Sequence, residues 1–287
     1  MIGVNEVVAA SPAVAVRTLG DFELSFDGRP VQRWKAGKAR SLLQFLLLRP
    51  GRPVPRTVLY AALWPDASWS KDSSSLKVAV HMLRAVLEQG GSGLRLLTRD
   101  SGYVLEVDTV FVDFEEFARL ADEAHAAQMR GDRPAATARY RQAVDLYHGD
   151  FLPDAPYDWA ATHREWLRSR LLCALAFLTE TDIRHGDHAG VIRWCRRMLE
   201  VEPFHEETYR ALILVHAHLG HLAQVRRWYR LCVAQLRENL QVGPDLATQR
   251  VYSRALRGEF TGRPIQPSAW QQHLQPAGYP SLLQHTA

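Results

Sequence analysis

The sequence has no apolar run of the roughly 18 residues that a membrane-spanning helix needs. The longest stretch, around Leu42–Leu48, is interrupted by Gln44 and ended by Arg49-Pro50, so no membrane partner is expected. No basic segment accompanies the small apolar residues at the start, and no secretory leader is read there. Cysteine is scarce: Cys173, Cys195 and Cys232 are odd in number and far apart. That argues against a disulfide framework and fits buried thiols in a reducing cytoplasm. There is no glycine-rich phosphate cradle with its lysine, no nucleophile beside a base and no pair of carboxylates set for acid–base work. The chain is therefore not expected to be an enzyme or to carry a cofactor.

Charge is present and unevenly placed. Residues 14–110 hold 14 basic and 9 acidic side chains, a net +5 in a chain whose total is +4. All of the positive excess lies in this first part, the distribution expected of a module that meets a polyanion.

The pattern from Val14 to Val31 is that of strands: Phe22, Leu24 and Phe26 alternate with polar residues up to Asp27-Gly28. That dipeptide favours a two-residue hairpin turn with positive φ at both positions, and Val31 is expected to begin the return strand. Three helical segments follow. Lys38–Leu48 carries Leu42, Leu43, Leu46 and Leu47 at stripe spacing, Val54-Pro55-Arg56 opens a second helix through Leu63-Trp64, and a third spans residues 73–88 with Ser73 or Ser74 as its cap. A hairpin over residues 94–107 turns at Asp100-Ser101-Gly102. Strands, three helices and a two-stranded wing, in that order, form a winged helix-turn-helix.

From Phe111 the chain reads as successive helices with a repeat. Gly186 and Gly220 lie 34 residues apart, and the same offset pairs Val191 with Val225, Arg193 with Arg227 and Trp194 with Trp228. Gly131, Ala136 and Tyr140 begin an earlier copy. A 34-residue period with glycine at the inter-helix turn and a small residue five positions on is the tetratricopeptide pattern. The 55 residues from Gly131 to Gly186 exceed one period by 21, so the array is interrupted around Gly149–Trp166. The expected class is mostly α with small β elements: a winged helix-turn-helix followed by a tetratricopeptide-like helical repeat domain. Its expected parts are a flexible arm at 1–13, the DNA-binding head at 14–110, the repeats at 111–260 and a disordered tail at 261–287.

These features resemble the antibiotic regulatory protein class of bacterial activators (the SARP-like family). In that class a winged helix similar to the output domain of response regulators precedes a bacterial transcriptional activator domain. The resemblance is carried by Leu19-Gly20-Asp21-Phe22, Asp27-Gly28-Arg29-Pro30-Val31, Lys38-Ala39-Arg40 and Ala62-Leu63-Trp64-Pro65-Asp66. It continues through Leu76-Lys77-Val78-Ala79-Val80-His81, Gly102-Tyr103 and Tyr147-His148-Gly149-Asp150-Phe151-Leu152, covering roughly residues 14–258. It implies a sequence-specific regulator that recognises repeats in double-stranded promoter DNA as a side-by-side homodimer and contacts RNA polymerase. Members of the class commonly have arginine where this chain has Met82 and Ala85.

On a helical wheel Leu76, Val80, Leu83 and Leu87 fall on one side of the third helix and face the core. Ser74, Val78, His81, Met82 and Ala85 then face outward, flanked by Lys77 and Arg84. In a major groove that face meets base edges and its flanks meet phosphates. Lys38, Arg40 and Lys71 are placed to reach phosphates, whereas Arg95 and Arg99 lie on the wing hairpin, which in such domains tracks the minor groove, Arg99 beside the turn being the better placed. Tyr103 is expected to pack inside the domain. The apolar outward face leaves a second reading open: an adaptor with a degenerate head and a repeat domain that binds a protein or a ligand.

Other constellations read as structural. His216 and His218 lie 200° apart on a helix and do not converge on a metal with His221. His205-Glu206-Glu207 reads as a helix start. Trp159, Trp166, Trp194 and Trp228 read as core anchors between stacked helices, with the alternative that one or two of them line a concave partner-binding groove of the repeats.

Overall fold

The computed structural model describes residues 12–32, 34, 37–67, 74–91, 93–100 and 102–262. Lys71 and Ser73, and almost all of the expected arm and tail, lie outside the described residues.

Strand β1 (Val14–Arg17) pairs antiparallel with β2 (Glu23–Phe26), setting Val16 opposite Leu24, both buried. Asp27 and Gly28 take φ of 48° and 74°, the positive values that this tight turn demands. The return strand β3 is Arg29–Pro30, earlier than the expected Val31, whose N–H still donates across to the Leu24 carbonyl at 2.8 Å. A fourth strand was not expected: β7 (Val110–Val112) joins β1 in parallel, with Phe111 opposite Ala15. The helices therefore begin after Phe111, because Val-Phe-Val is a β-prone triplet with a partner strand beside it.

Helices α1 (Gly37–Leu47), α2 (Arg56–Leu63) and α3 (Ser75–Leu87) follow the apolar stripes. Val54-Pro55 is not the start of a helix but a short strand, β4, pairing with β6 (Gly102–Val107), which pairs in turn with β5 (Leu94–Arg99). As an edge strand β4 tolerates a proline. Its backbone passes so close that a Cβ on Gly102 would stand 2.1 Å from the Val54 carbonyl oxygen, so only glycine fits the base of the wing.

Three helix pairs follow: α4 (Asp113–Met129) with α5 (Arg133–Leu146), α6 (Asp158–His185) with α7 (His188–Val201), and α8 (Glu206–His218) with α9 (Leu222–Leu240). The described chain then adds α10 (Leu246–Leu256). Gly131, Gly186 and Gly220 occupy their turns with φ of 78°, 70° and 74°, a conformation costly for other residues. Five residues after each, Ala136, Val191 and Val225 are all 0% exposed, as the 34-residue register requires. Among the described residues no helix is long and apolar enough to cross a membrane.

By packing, the chain forms two compact units: residues up to Leu120 with Asp145–Ser169, and Ala121–Val144 with Arg170 onward. In the first, packing extends the winged head beyond residue 110. Leu19 bridges to Phe151, and the Leu152 N–H donates to the Thr18 carbonyl at 2.9 Å. Phe114 and Phe151 meet edge to face at 5.3 Å. A buried large apolar side chain of this kind stabilises by about 1.5–3 kcal/mol. The Asp113 carboxylate is the polar tie. It accepts from the Thr18 N–H (2.8 Å), the Thr18 hydroxyl (2.7 Å) and the Leu19 N–H (2.9 Å). Burial raises its pKa, and these hydrogen bonds oppose the rise.

Candidate nucleic-acid interface

Helix α3 buries Leu76, Ala79, Val80, Leu83, Val86 and Leu87. Ser74, Lys77, Val78, His81 and Ala85 are exposed along the opposite side, with Met82 half-buried between them. Val78 is 53% exposed, unusual for a large aliphatic residue on a packed helix. Ser74 stands at the cap position, but its side chain makes no capping hydrogen bond. Its hydroxyl is not used by the helix end, contrary to the expected cap.

The cations near this face divide into two groups. Arg84 was expected at the backbone of DNA but is held inside the domain: Nε donates to the Leu96 carbonyl at 3.0 Å and Nη2 to Thr98 Oγ1 at 2.8 Å. It fastens α3 to β5 and so fixes the angle between helix and wing. Lys38 is also turned inward. Its ammonium donates to the Leu63 carbonyl and to the Tyr157 hydroxyl (3.0 Å) and lies over the Trp64 and Tyr157 rings. Arg40 stacks on the Phe22 ring at 4.9 Å. Lys77, by contrast, is exposed on the outer face.

On the wing, Arg95 and Arg99 are 60% and 59% exposed and both approach Glu106, at 3.0 and 4.0 Å. Glu106 had not been expected as their partner. The turn at Asp100 sets Arg99 opposite Gly102 and hence Arg95 opposite Glu106, so the pairing was readable from the hairpin register. Exposed pairs of this kind contribute about 0–1 kcal/mol, and a phosphate can take the place of Glu106 at little cost. Arg56, at the start of α2, is a further exposed cation absent from the sequence reading; its guanidinium lies over the Tyr103 ring at 5.6 Å. Tyr103 itself is buried, as expected.

The remaining constellations are resolved by the same packing. The His216 ring faces His221, whereas His218 faces His188. Among the described residues no three His, Cys, Asp or Glu side chains are placed to hold a metal. His205 precedes α8, with Glu206 and Glu207 in its first turn, as the helix-start reading required. Trp194 is buried, and Trp159 and Trp228 are half-buried. Trp166 is 44% exposed, so the core-anchor reading does not hold for it. It lies on the outer side of α6, one residue before the buried Leu167.

Comparison with known proteins adds to this geometry. A family model described as the bacterial transcriptional activator domain matches residues 112–256, and one described as transcriptional regulatory protein, C terminal, matches residues 34–105. Regulatory protein DnrI of Streptomyces peucetius is 28% identical over 78% of this chain and 85% of its own length. Regulatory protein AfsR of Streptomyces coelicolor is 27% identical over 80% of this chain, which spans about a quarter (24%) of that longer protein. Transcriptional regulator RedD of Streptomyces coelicolor is 27% identical over 85% of this chain and 70% of its own. The solved structure of Mycobacterium tuberculosis EmbR, in complex with a low affinity phosphopeptide, has the same fold. It superposes with a TM-score of 0.66 over 92% of this chain and 69% of that one, at 22% identity.

Proposed function

The chain belongs to the antibiotic regulatory protein class of DNA-binding transcriptional regulators, which join a winged helix to a bacterial transcriptional activator domain, and from that premise we propose how it reads DNA. Residues 14–110 are the reading module, with α3 in the major groove and the β5–β6 wing along the adjacent backbone. Ser74 and His81 hydrogen-bond to base edges, Val78 and Ala85 meet thymine methyls, and Lys77, Arg95 and Arg99 meet phosphates. The observation that carries this reading is the exposed face of α3, on which Val78 and His81 stand outward beside the exposed Lys77. Arg84 serves as the brace that sets the wing angle. In the cytoplasm, two copies side by side on promoter repeats would use the α4–α10 region for self-association and for contact with RNA polymerase, making the protein an activator.

Titration onto the upstream promoter duplex at several salt concentrations tests the reading. Lys77→Ala is expected to weaken binding about fivefold for every sequence and to reduce the salt slope by about 1. Replacing thymine by uracil within the footprint removes only methyl groups. It is expected to cost the wild type about fourfold per contacted methyl, the equivalent of about 0.8 kcal/mol. The Val78→Ala variant would lose that distinction. Affinity equal to that for random duplex at every salt concentration, with capture of a protein partner instead, would establish the adaptor reading.

A further inference from the structure

A cavity of ≈ 210 Å3 lies between α1 and the loop that leads into α6. Gly37, Arg40, Ser41 and Gln44 form one wall, at the spacing that places four residues on one helix face. Residues Leu152–Tyr157 form the other, and Phe22 closes a side. The loop is held in place. The Tyr157 hydroxyl donates to Ser41 Oγ at 3.2 Å, and Arg164 donates to the Phe151 and Leu152 carbonyls at 3.0 and 2.7 Å. Leu152 has φ 45°, a left-handed conformation that a leucine keeps only where its surroundings impose it. The cavity is thus preformed.

Its walls carry polar groups that the protein leaves unused. Gln44 is 5% exposed, yet among the described residues its amide has no hydrogen-bond partner. Among the described residues the Arg40 guanidinium stacks on Phe22 and pairs with no carboxylate, and Asp154 across the cavity pairs with no cation. Two opposite charges thus line one space without pairing with each other. An anion alone would satisfy Arg40 and be opposed by Asp154, a cation alone the reverse, whereas a zwitterion satisfies both. The rings of Phe22, Pro153 and Pro156 and the methyl of Ala155 supply apolar surface. A cavity of about 150 Å3 accepts benzene, with its six non-hydrogen atoms, so this one suits a molecule of about eight.

We propose that this cavity binds a small α-amino acid with an apolar side chain. Its carboxylate would lie on Arg40, its ammonium at Asp154 and its side chain against Phe22 and the prolines, with the Gln44 amide completing the polar contacts. Such a ligand would join α1, which packs against α3, to the loop of the activator domain and thereby couple metabolite level to the reading head.

Isothermal titration calorimetry on the full chain, without DNA, tests this separately from the DNA-reading proposal. The probes are leucine, valine, isoleucine, methionine and phenylalanine, with 4-methylpentanoate and isopentylamine as leucine analogues lacking the ammonium and the carboxylate. At least one amino acid is expected to bind saturably at one per chain. With leucine, each analogue would bind at least tenfold more weakly. Arg40→Gln and Asp154→Asn are each expected to weaken the bound amino acid at least tenfold. Asp154 is an exposed loop residue, so its variant tests the site even if Arg40→Gln disturbs the fold. No saturable binding by any of the five, equal binding of leucine and its analogues, or unchanged affinity in the Asp154→Asn variant would overturn the proposal.

Discussion

The α6–α7 and α8–α9 pairs share a 34-residue register but fasten their helices by different chemistry. In α6–α7, Asp182 is 2% exposed and accepts from Trp194 Nε1 at 2.7 Å, while Arg141 approaches its other oxygen at 3.3 Å. Asp187 caps α7 by accepting from the Gly190 N–H at 2.9 Å. Thirty-four residues on, His216 replaces Asp182, His221 replaces Asp187, Gln224 replaces Gly190, and the tryptophan recurs as Trp228. In this pair the Trp228 Nε1 and His216 Nδ1 are buried with no hydrogen-bond partner among the described residues, and α9 begins with no side-chain cap. The substitutions belong together. A Cβ at 190 would stand 2.1 Å from Asp182 Oδ2 and 2.6 Å from Asp187 Oδ2, so the two carboxylates require glycine there. With both acids replaced by histidine, that requirement is lifted and glutamine is accommodated. One repeat geometry thus supports either a hydrogen-bonded brace or a looser aromatic contact.

The largest effect is expected from Gly190→Ala. The added methyl must displace the Asp182 carboxylate, leaving the Trp194 indole N–H buried and unpaired, at a cost of about 3 kcal/mol. Urea unfolding of the α6–α7 region measures this, and a loss below about 1 kcal/mol would break the argument that glycine and acids form a set. Next is the attempt to convert the second pair into the first. His216→Asp and Gln224→Gly together are expected to be more stable than the sum of the single effects by about 1–2 kcal/mol. Strict additivity would show that the two registers are not equivalent in chemistry.

The smallest effect concerns pH. Burial, followed by the nearby charge of His221, lowers the pKa of His216 below its ordinary 6.5. Below pH ~6.5 the unfolded chain binds a proton at this position that the folded chain resists. Its contribution to stability is therefore complete above that pH and declines as the pH falls. His216→Gln is expected to reduce the difference between urea midpoints at pH 7.5 and 5.5, and an unchanged difference would assign the acid sensitivity elsewhere. His163, His188 and His205, lowered mainly by burial, are the other candidates.

Much of the head was legible because its signals are local. The stripe of Leu76, Val80, Leu83 and Leu87 follows from a period near 100°, and the turn at Asp27-Gly28 from the only dihedrals that close it. The outward face of α3 followed as the complement of that stripe. The fates of Lys38 and Arg84 were not legible. Their acceptors include the backbone carbonyls of Leu63 and Leu96, which every residue carries and no side-chain pattern marks. Val110–Val112 was missed for a related reason: three residues form a strand only because β1 lies beside them. Which of the tryptophans leaves the core was not legible, because the hydrophobicity of one residue such as Trp166 does not reveal which side of a 28-residue helix faces solvent.

By itself the sequence determined the winged order of strands and helices, the 34-residue repeat and the residues that α3 turns outward. Each follows from periodicity or turn chemistry acting over a few residues. Only the tertiary structure decided which cations remain available to a partner, that the Tyr147–Tyr157 segment packs with the head, and that Arg40, Gln44 and Asp154 line one cavity. Those outcomes depend on groups distant in sequence, brought together when the core buries its apolar surface.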